Sequence, residues 1–188
     1  MPDAHIDTSF LDRAITFAVE AHAGTERRGK GFPYIVHPME AMAIVSSMTS
    51  DQELLAAAAL HDTVEDTGVT VEELRERFGD RVADLVASES DQTDPGLDWH
   101  TRKKAALDKL CAAERDVKVV ALGDKLSNMR AIARDYAEKG DALWGLFHAS
   151  DPSEHAWRYH ALADALRELE DTAAFKEFEY LIEKVFGK

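Results

Sequence analysis

A single cysteine, Cys111, excludes an intrachain disulfide and leaves no thiolate set for a structural zinc site. That scarcity fits a reducing cytosol, so a cytoplasmic location is expected. No apolar run approaches the length of a membrane span, and the polar, acidic stretch Met1–Ser9 is unlike a secretion signal; no membrane partner is expected. Positive charge is also short. Against 36 Asp and Glu stand 22 Lys and Arg, for a net charge of −14. Such a surface opposes binding to a nucleic-acid backbone and repels anionic nucleotides at long range. Sustained apolar–polar alternation is missing, so any strand is short, and no repeat or low-complexity tract occurs.

What is present is helical periodicity. Phe10, Ala14, Phe17, Ala18 and Ala21 recur at helical spacing and predict an amphipathic helix over about 8–24. Residues 24–33 hold three glycines with Arg27, Arg28 and Lys30, and read as a loop. Pro38 fits the first position of a helix to about Met48. Asp51 can cap the next helix, whose apolar run ends at His61-Asp62. Thr70-Val71-Glu72-Glu73 has the form of a capping box for a helix to about Phe78. Gly79-Asp80 reads as a turn and 81–87 as a short helix. Residues 90–98, with Pro95-Gly96, form the clearest loop. Helices follow over 99–113 and 117–138, the second broken by Gly140. Asp151-Pro152 opens a helix reaching Leu169, and Asp171 or Thr172 caps a last one ending at Phe186. The expectation is an all-α bundle of about ten helices. It reads as one domain over 1–188, with a core at about 8–138 and a helical extension at about 139–188.

The string His61-Asp62-Thr63-Val64-Glu65-Asp66 carries the chemistry. The run before it, Glu53–Leu60, reads as a buried helix, and such a helix has little reason to end in imidazole and carboxylates unless something there binds them. Upstream lies Pro33-Tyr34-Ile35-Val36-His37-Pro38; downstream lies Leu122-Gly123-Asp124-Lys125-Leu126-Ser127-Asn128-Met129-Arg130. His37, His61, Asp62 and Asp124 together suit a hard or borderline divalent ion, with Mn²⁺, Fe²⁺, Zn²⁺ and Mg²⁺ open. Taken singly, a His before Pro is commonly structural and Asp124 could be a helix-surface carboxylate. The three segments jointly carry the reading. Glu65 and Asp66 follow Asp62 at three and four residues. If the helix continues, they share its face and could serve as general base and water orienter.

These segments, in this order, resemble the H…HD…D pattern of HD-domain metal-dependent phosphohydrolases. With Arg28-Gly29-Lys30-Gly31-Phe32 before Pro33, they are similar to the hydrolase domain of the RelA/SpoT family, which hydrolyses the alarmone (p)ppGpp. The resemblance runs from about Phe10 to Arg134. It implies an HD-domain helical bundle, Mn²⁺ held by His37, His61, Asp62 and Asp124, and a catalytic pair Glu65 and Asp66. It further implies Arg28 stacking on guanine, Lys30 in the same basic patch and Asn128 contacting the sugar. The family often has Arg-Lys directly adjacent, whereas this chain reads Arg28-Gly29-Lys30. At this length the chain resembles the stand-alone small alarmone hydrolases, with no room for a synthetase domain. The implied activity is a guanosine-3′,5′-bis(diphosphate) 3′-pyrophosphohydrolase releasing GDP or GTP and pyrophosphate.

The expected partner is therefore a small nucleotide. A second copy of the chain, as a homodimer, is the other partner in view. The aromatic segments Trp144–His148 and Trp157–His160 could close over a nucleotide or form a subunit contact. Glu89-Ser90 weakly resembles a further acidic motif of the HD hydrolases. Lys125 and Arg130 could meet phosphates or form surface ion pairs. Two other functions stay open: the same site acting on another nucleotide or phosphorylated metabolite, and a non-catalytic nucleotide-sensing HD module. The presence of Glu65 and Asp66 argues against the last.

Overall fold

The computed structural model describes residues 6–89, 96–147 and 149–187. Among them the chain forms ten α-helices and two 3₁₀ segments, and the one strand-like pairing is an isolated antiparallel bridge between Glu26 and Pro33. The all-α expectation of about ten helices is met. Two compact units are formed, Met1–Ser90 and Asp91–Lys188. The division falls in the polar stretch expected to be a loop, of which 90–95 lies outside the described residues.

The first unit contains α1 (Ser9–Ala21), α2 (Val36–Val45), α3 (Gln52–Leu60), α4 (Thr63–Asp66), α5 (Val71–Phe78) and α6 (Asp80–Glu89). Helix α3 is its centre and packs against α1, α2 and α6. Leu54 and every residue from Ala56 to Leu60 are buried. A helix apolar on all sides is stable only when enclosed, and four successive alanines let its neighbours approach closely. Asp51 caps it as expected, accepting from the Glu53 amide at 2.9 Å. Arg81 of α6 bonds both Asp51 and Glu53, which ties α6 to the head of α3. Burial pushes the Asp51 carboxyl up, but Arg81 and the Glu53 amide outweigh it and hold it below the usual carboxylate range. Thr70 accepts from the Glu73 amide at 3.1 Å, as the capping-box pattern predicts. Phe10 and Phe17 meet Phe78 edge-on.

Two boundaries differ from the sequence reading. Helix α2 begins at Val36, so Pro38 is its third residue; an amide is not needed anywhere in the first turn, and proline is tolerated there. More consequentially, the helix carrying His61-Asp62 does not continue. Helix α3 ends at Leu60, His61 and Asp62 form a turn, and α4 starts at Thr63. The Thr63 hydroxyl donates to the Leu60 carbonyl at 2.7 Å and takes up one of the acceptors exposed where α3 stops.

The second unit contains α7 (Trp99–Cys111), α8 (Arg115–Lys139), a 3₁₀ segment (Gly140–Leu146), α9 (Pro152–Ala165), a second 3₁₀ segment (Arg167–Leu169) and α10 (Ala173–Phe186). Helix α8 packs on α10 and on the first 3₁₀ segment, and α9 packs on α7 and α10. Leu122, Leu126, Met129, Phe175, Phe178 and Ile182 are fully buried among them. Asp151 and Thr172 cap α9 and α10. Helix α9 stops at Ala165, short of the expected Leu169, and the tighter turn that follows buries both Leu166 and Leu169. Trp144 belongs to this core, stacked on buried His155 and close to Phe186. Trp157 instead stacks on exposed His100 at 4.0 Å. His148 lies outside the described residues.

Candidate metal centre

The basic loop before α2 is a tight hairpin. The Arg27 amide donates to the Phe32 carbonyl, the Lys30 amide to Arg27, and the Tyr34 amide to Thr25. Gly29 and Gly31 at its tip have φ of +69° and +71°, a left-handed conformation that residues with a Cβ rarely adopt. The pattern Arg-Gly-Lys-Gly is thus the one this turn demands. It leaves Arg28 exposed and Lys30 half-buried at the tip. Arg27 is drawn back, with its guanidinium 5.1 Å from the centre of the Tyr34 ring.

The hairpin delivers Tyr34 and, one turn on, His37. Helix α3 delivers His61 and Asp62 from the other side of the same unit. The ligand atoms of His37, His61 and Asp62 all lie within 4.8 Å of one another. His37 is 4% exposed, His61 2%, and the Asp62 side chain 17%. His61 Nδ1 lies 2.8 Å from the Ala58 carbonyl oxygen. A carbonyl only accepts, so Nδ1 carries the proton and Nε2 presents its lone pair. That Nε2 faces Asp62 Oδ2 at 3.0 Å, and His37 Nε2 faces the same oxygen at 3.4 Å. The His61 lone pair and the Asp62 carboxylate oxygen repel at this distance unless a cation sits between them. This donor set therefore fits a divalent ion, and the bond from Nδ1 to a backbone carbonyl is the usual device for orienting a ligating imidazole.

Tyr34 is a site residue that the sequence reading quoted but gave no role. Its hydroxyl donates to Asp62 Oδ2 at 2.7 Å. Burial, together with the Asp62 and Asp66 carboxylates, pushes the phenol pKa well above its ordinary value, so it stays a donor. His22, the residue ending α1, lies 4.9 Å from the Tyr34 ring, centre to centre, with the planes 31° apart. Both of its ring nitrogens are buried and have no hydrogen-bond partner among the described residues. Burial holds the His22 imidazole below its usual range, against the pull of Asp62 and Asp66. The signal for Tyr34 was its spacing of three residues before His37. His22 carries no local signal; its place depends on how the hairpin folds back on α1.

Glu65 and Asp66 sit on α4, and both are exposed. The break before α4 does not separate them from the ligands, because the Asp66 amide still bonds the Asp62 carbonyl at 2.9 Å. The first unit thus gathers three of the four expected ligands and the two expected catalytic carboxylates. The fourth ligand, Asp124, lies on α8 of the second unit, where it is buried. Asn128 and Lys125 donate to its two oxygens, each at 2.5 Å. Asn128 is therefore engaged with Asp124, one turn away, as the helical spacing predicts. Arg130 forms a two-pronged pair with Glu177 of α10, which favours the ion-pair reading of that residue over a phosphate contact. Glu89 is the half-buried last residue of α6, and Ser90 lies outside the described residues.

Comparison with known proteins places these observations in a wider set. A match to the HD domain covers residues 14–150. The guanosine-3′,5′-bis(diphosphate) 3′-pyrophosphohydrolase of Aquifex aeolicus (strain VF5) is 49% identical over 76 residues, covering 40% of this chain and 11% of that protein. A probable GTP pyrophosphokinase of Mycobacterium leprae (strain TN) is 32% identical over 190 residues, covering 96% of this chain and 23% of that protein. The chain thus spans under a quarter of the length of these relatives. Among solved structures, a metazoan orthologue of SpoT that hydrolyses ppGpp superposes with a TM-score of 0.79 at 22% identity. The match covers 98% of this chain and all of that one, and it establishes a shared fold.

Proposed function

The chain belongs to the HD-domain family, and from that membership we propose that it is a metal-dependent 3′-pyrophosphohydrolase of guanosine tetra- and pentaphosphates. The observation that carries this reading is the convergence of His37, His61 and Asp62 on one point, with Glu65 and Asp66 on the next helix. The relatives named for ppGpp hydrolysis, and the Arg28–Lys30 hairpin, support the substrate.

In this reading His37, His61, Asp62 and Asp124 hold the ion. Support for Asp124 comes from the sequence motif and from its burial with a polar escort. Mn²⁺ is the ion proposed, because two imidazoles and two carboxylates without a thiolate suit it and the family resemblance points to it. When bound, it supplies Lewis acidity to the phosphoryl group and acidity to water. Glu65 accepts the proton of the attacking water, and Asp66 orients that water. A bond forms between the water oxygen and phosphorus. The bond from that phosphorus to the ribose 3′ oxygen breaks, and that oxygen leaves as a hydroxyl, taking a proton from solvent while Glu65 later returns its own to solvent. Arg28 stacks on the guanine, for which its planar, weakly hydrated guanidinium is suited. Lys30 adds charge at the same tip, and Asn128 steadies Asp124 as well as meeting the sugar. The compartment proposed is the cytoplasm; Cys111 is an exposed free thiol, and no described helix is long and apolar enough to cross a membrane.

The test is direct. Purified protein is incubated with Mn²⁺ and ppGpp, and the products are separated by chromatography. GDP and pyrophosphate are expected, while simple nucleoside triphosphates, which lack a 3′-phosphoryl group, stay intact. Survival of ppGpp while another phosphorylated nucleotide is consumed overturns the alarmone assignment.

A further inference from the structure

We infer that Tyr34 is a positioning residue of the metal centre: its hydroxyl fixes the Asp62 carboxylate for the ion, and its ring is held in place by His22 and Arg27. The inference rests on the reading of His37, His61 and Asp62 as metal ligands.

Three observations carry it. The first is the bond itself. Asp62 is approached by both imidazoles at Oδ2, and the Tyr34 hydroxyl donates to that same oxygen at 2.7 Å. A carboxylate has two rotatable torsions, and a donor set at a fixed point removes the freedom that the ion would otherwise have to restrict. Partners of this kind orient the ligands of metal sites. The second is the mounting of the ring. His22, ending α1, lies against Tyr34 in a tilted contact, and Arg27 from the hairpin sets its guanidinium over the ring. The Tyr34 amide, moreover, is bonded to Thr25. A phenol held by two separate segments is a rigid donor. The third is the choice of histidine at position 22. Both ring nitrogens are buried without a partner among the described residues, which costs stability that a phenylalanine of similar shape would not. An imidazole that is kept under those conditions points to the polar site beside it rather than to core packing.

The test measures Mn²⁺ affinity by titration calorimetry, with the electron-resonance signal of unbound Mn²⁺ as an independent readout. Tyr34→Phe keeps the ring and removes only the hydroxyl. It is expected to weaken Mn²⁺ binding roughly 10- to 100-fold while the unfolding midpoint of the metal-free protein stays that of wild type. His22→Phe keeps a ring against Tyr34 but loses the polar edge beside the site and should weaken binding modestly, whereas His22→Ala removes the support as well and should weaken it further. Wild-type affinity in Tyr34→Phe overturns the inference, as does a fall in metal-free stability with no change in affinity, which is the mark of a packing role alone. His61→Ala is the control on the underlying reading. If it binds Mn²⁺ like wild type, the metal centre itself is misassigned and the role of Tyr34 falls with it; if it loses binding while Tyr34→Phe does not, only the inference fails.

Discussion

Glu65 separates chemistry from binding more cleanly than any other residue of the site. Glu65→Gln keeps the shape and removes the proton acceptor, so turnover should fall roughly 10²-fold or more, while Mn²⁺ content measured on the purified variant stays that of wild type. Unchanged turnover would move the role to Asp66. A second residue-level expectation concerns protons. Burial lowers the pKa of His155, against the Ala149 carbonyl, which favours the charged ring. Above the ordinary histidine range, about 6.5, neither folded nor unfolded chain holds that proton, and the contribution to stability is intact. As pH falls through that range the unfolded chain takes up a proton that the folded one resists, and stability declines. Urea unfolding at about pH 7.5 and about pH 5.5 should show a smaller decline in His155→Gln than in wild type. His22 acts in the same direction, so some decline remains. At this scale the sequence was most legible where side-chain type and spacing act together, as in His61-Asp62 and His37. It was least legible for His22, whose contact with Tyr34 is made by a hairpin and not by any period of the chain.

Among the elements, α3 decides whether the site is assembled, because it carries His61 at its end and is enclosed by α1, α2 and α6. Its four successive alanines are wholly buried. Ala57→Leu should cost about 1–3 kcal/mol by overpacking, read as a lower urea midpoint with an unchanged slope. Its N-cap and its apolar run were readable in advance: Asp51 sits where a capping residue belongs, and the Leu-Ala run ends at the expected ligands His61 and Asp62. The break at His61-Asp62 was not readable. Nothing in Leu60-His61-Asp62-Thr63 is a helix breaker, and the interruption is stabilised by Thr63 reaching back to Leu60. Likewise α9 ends at Ala165 without a glycine or proline, where the burial of Leu166 and Leu169 overrides helix propensity.

For the whole molecule, the ion is expected to be a source of stability as well as chemistry. Without it, the His61 lone pair and the Asp62 carboxylate face one another. A chelator should abolish hydrolysis and lower the thermal midpoint, since an ion present at about 100 times its Kd stabilises the folded state by about 2.7 kcal/mol. A midpoint indifferent to chelator would mean that no ion is bound in the folded state. The net charge of −14 and the near absence of alternation set the class of the chain early, but the two compact units were not visible in composition, because the segment dividing them is short. One consequence of the enclosed helix α3 concerns time. The amides of its buried second half, Ala56–Leu60, are hydrogen-bonded and shut away from solvent, so they can exchange with deuterium only when the first unit opens as a whole. The exposed tip of the hairpin at Arg28 needs no such event. His61 would then rest on the slowest-exchanging backbone of its unit and Arg28 on some of the fastest. The groups proposed to hold the ion would thus persist unchanged through many encounters, while those proposed to meet the base rearrange between one encounter and the next.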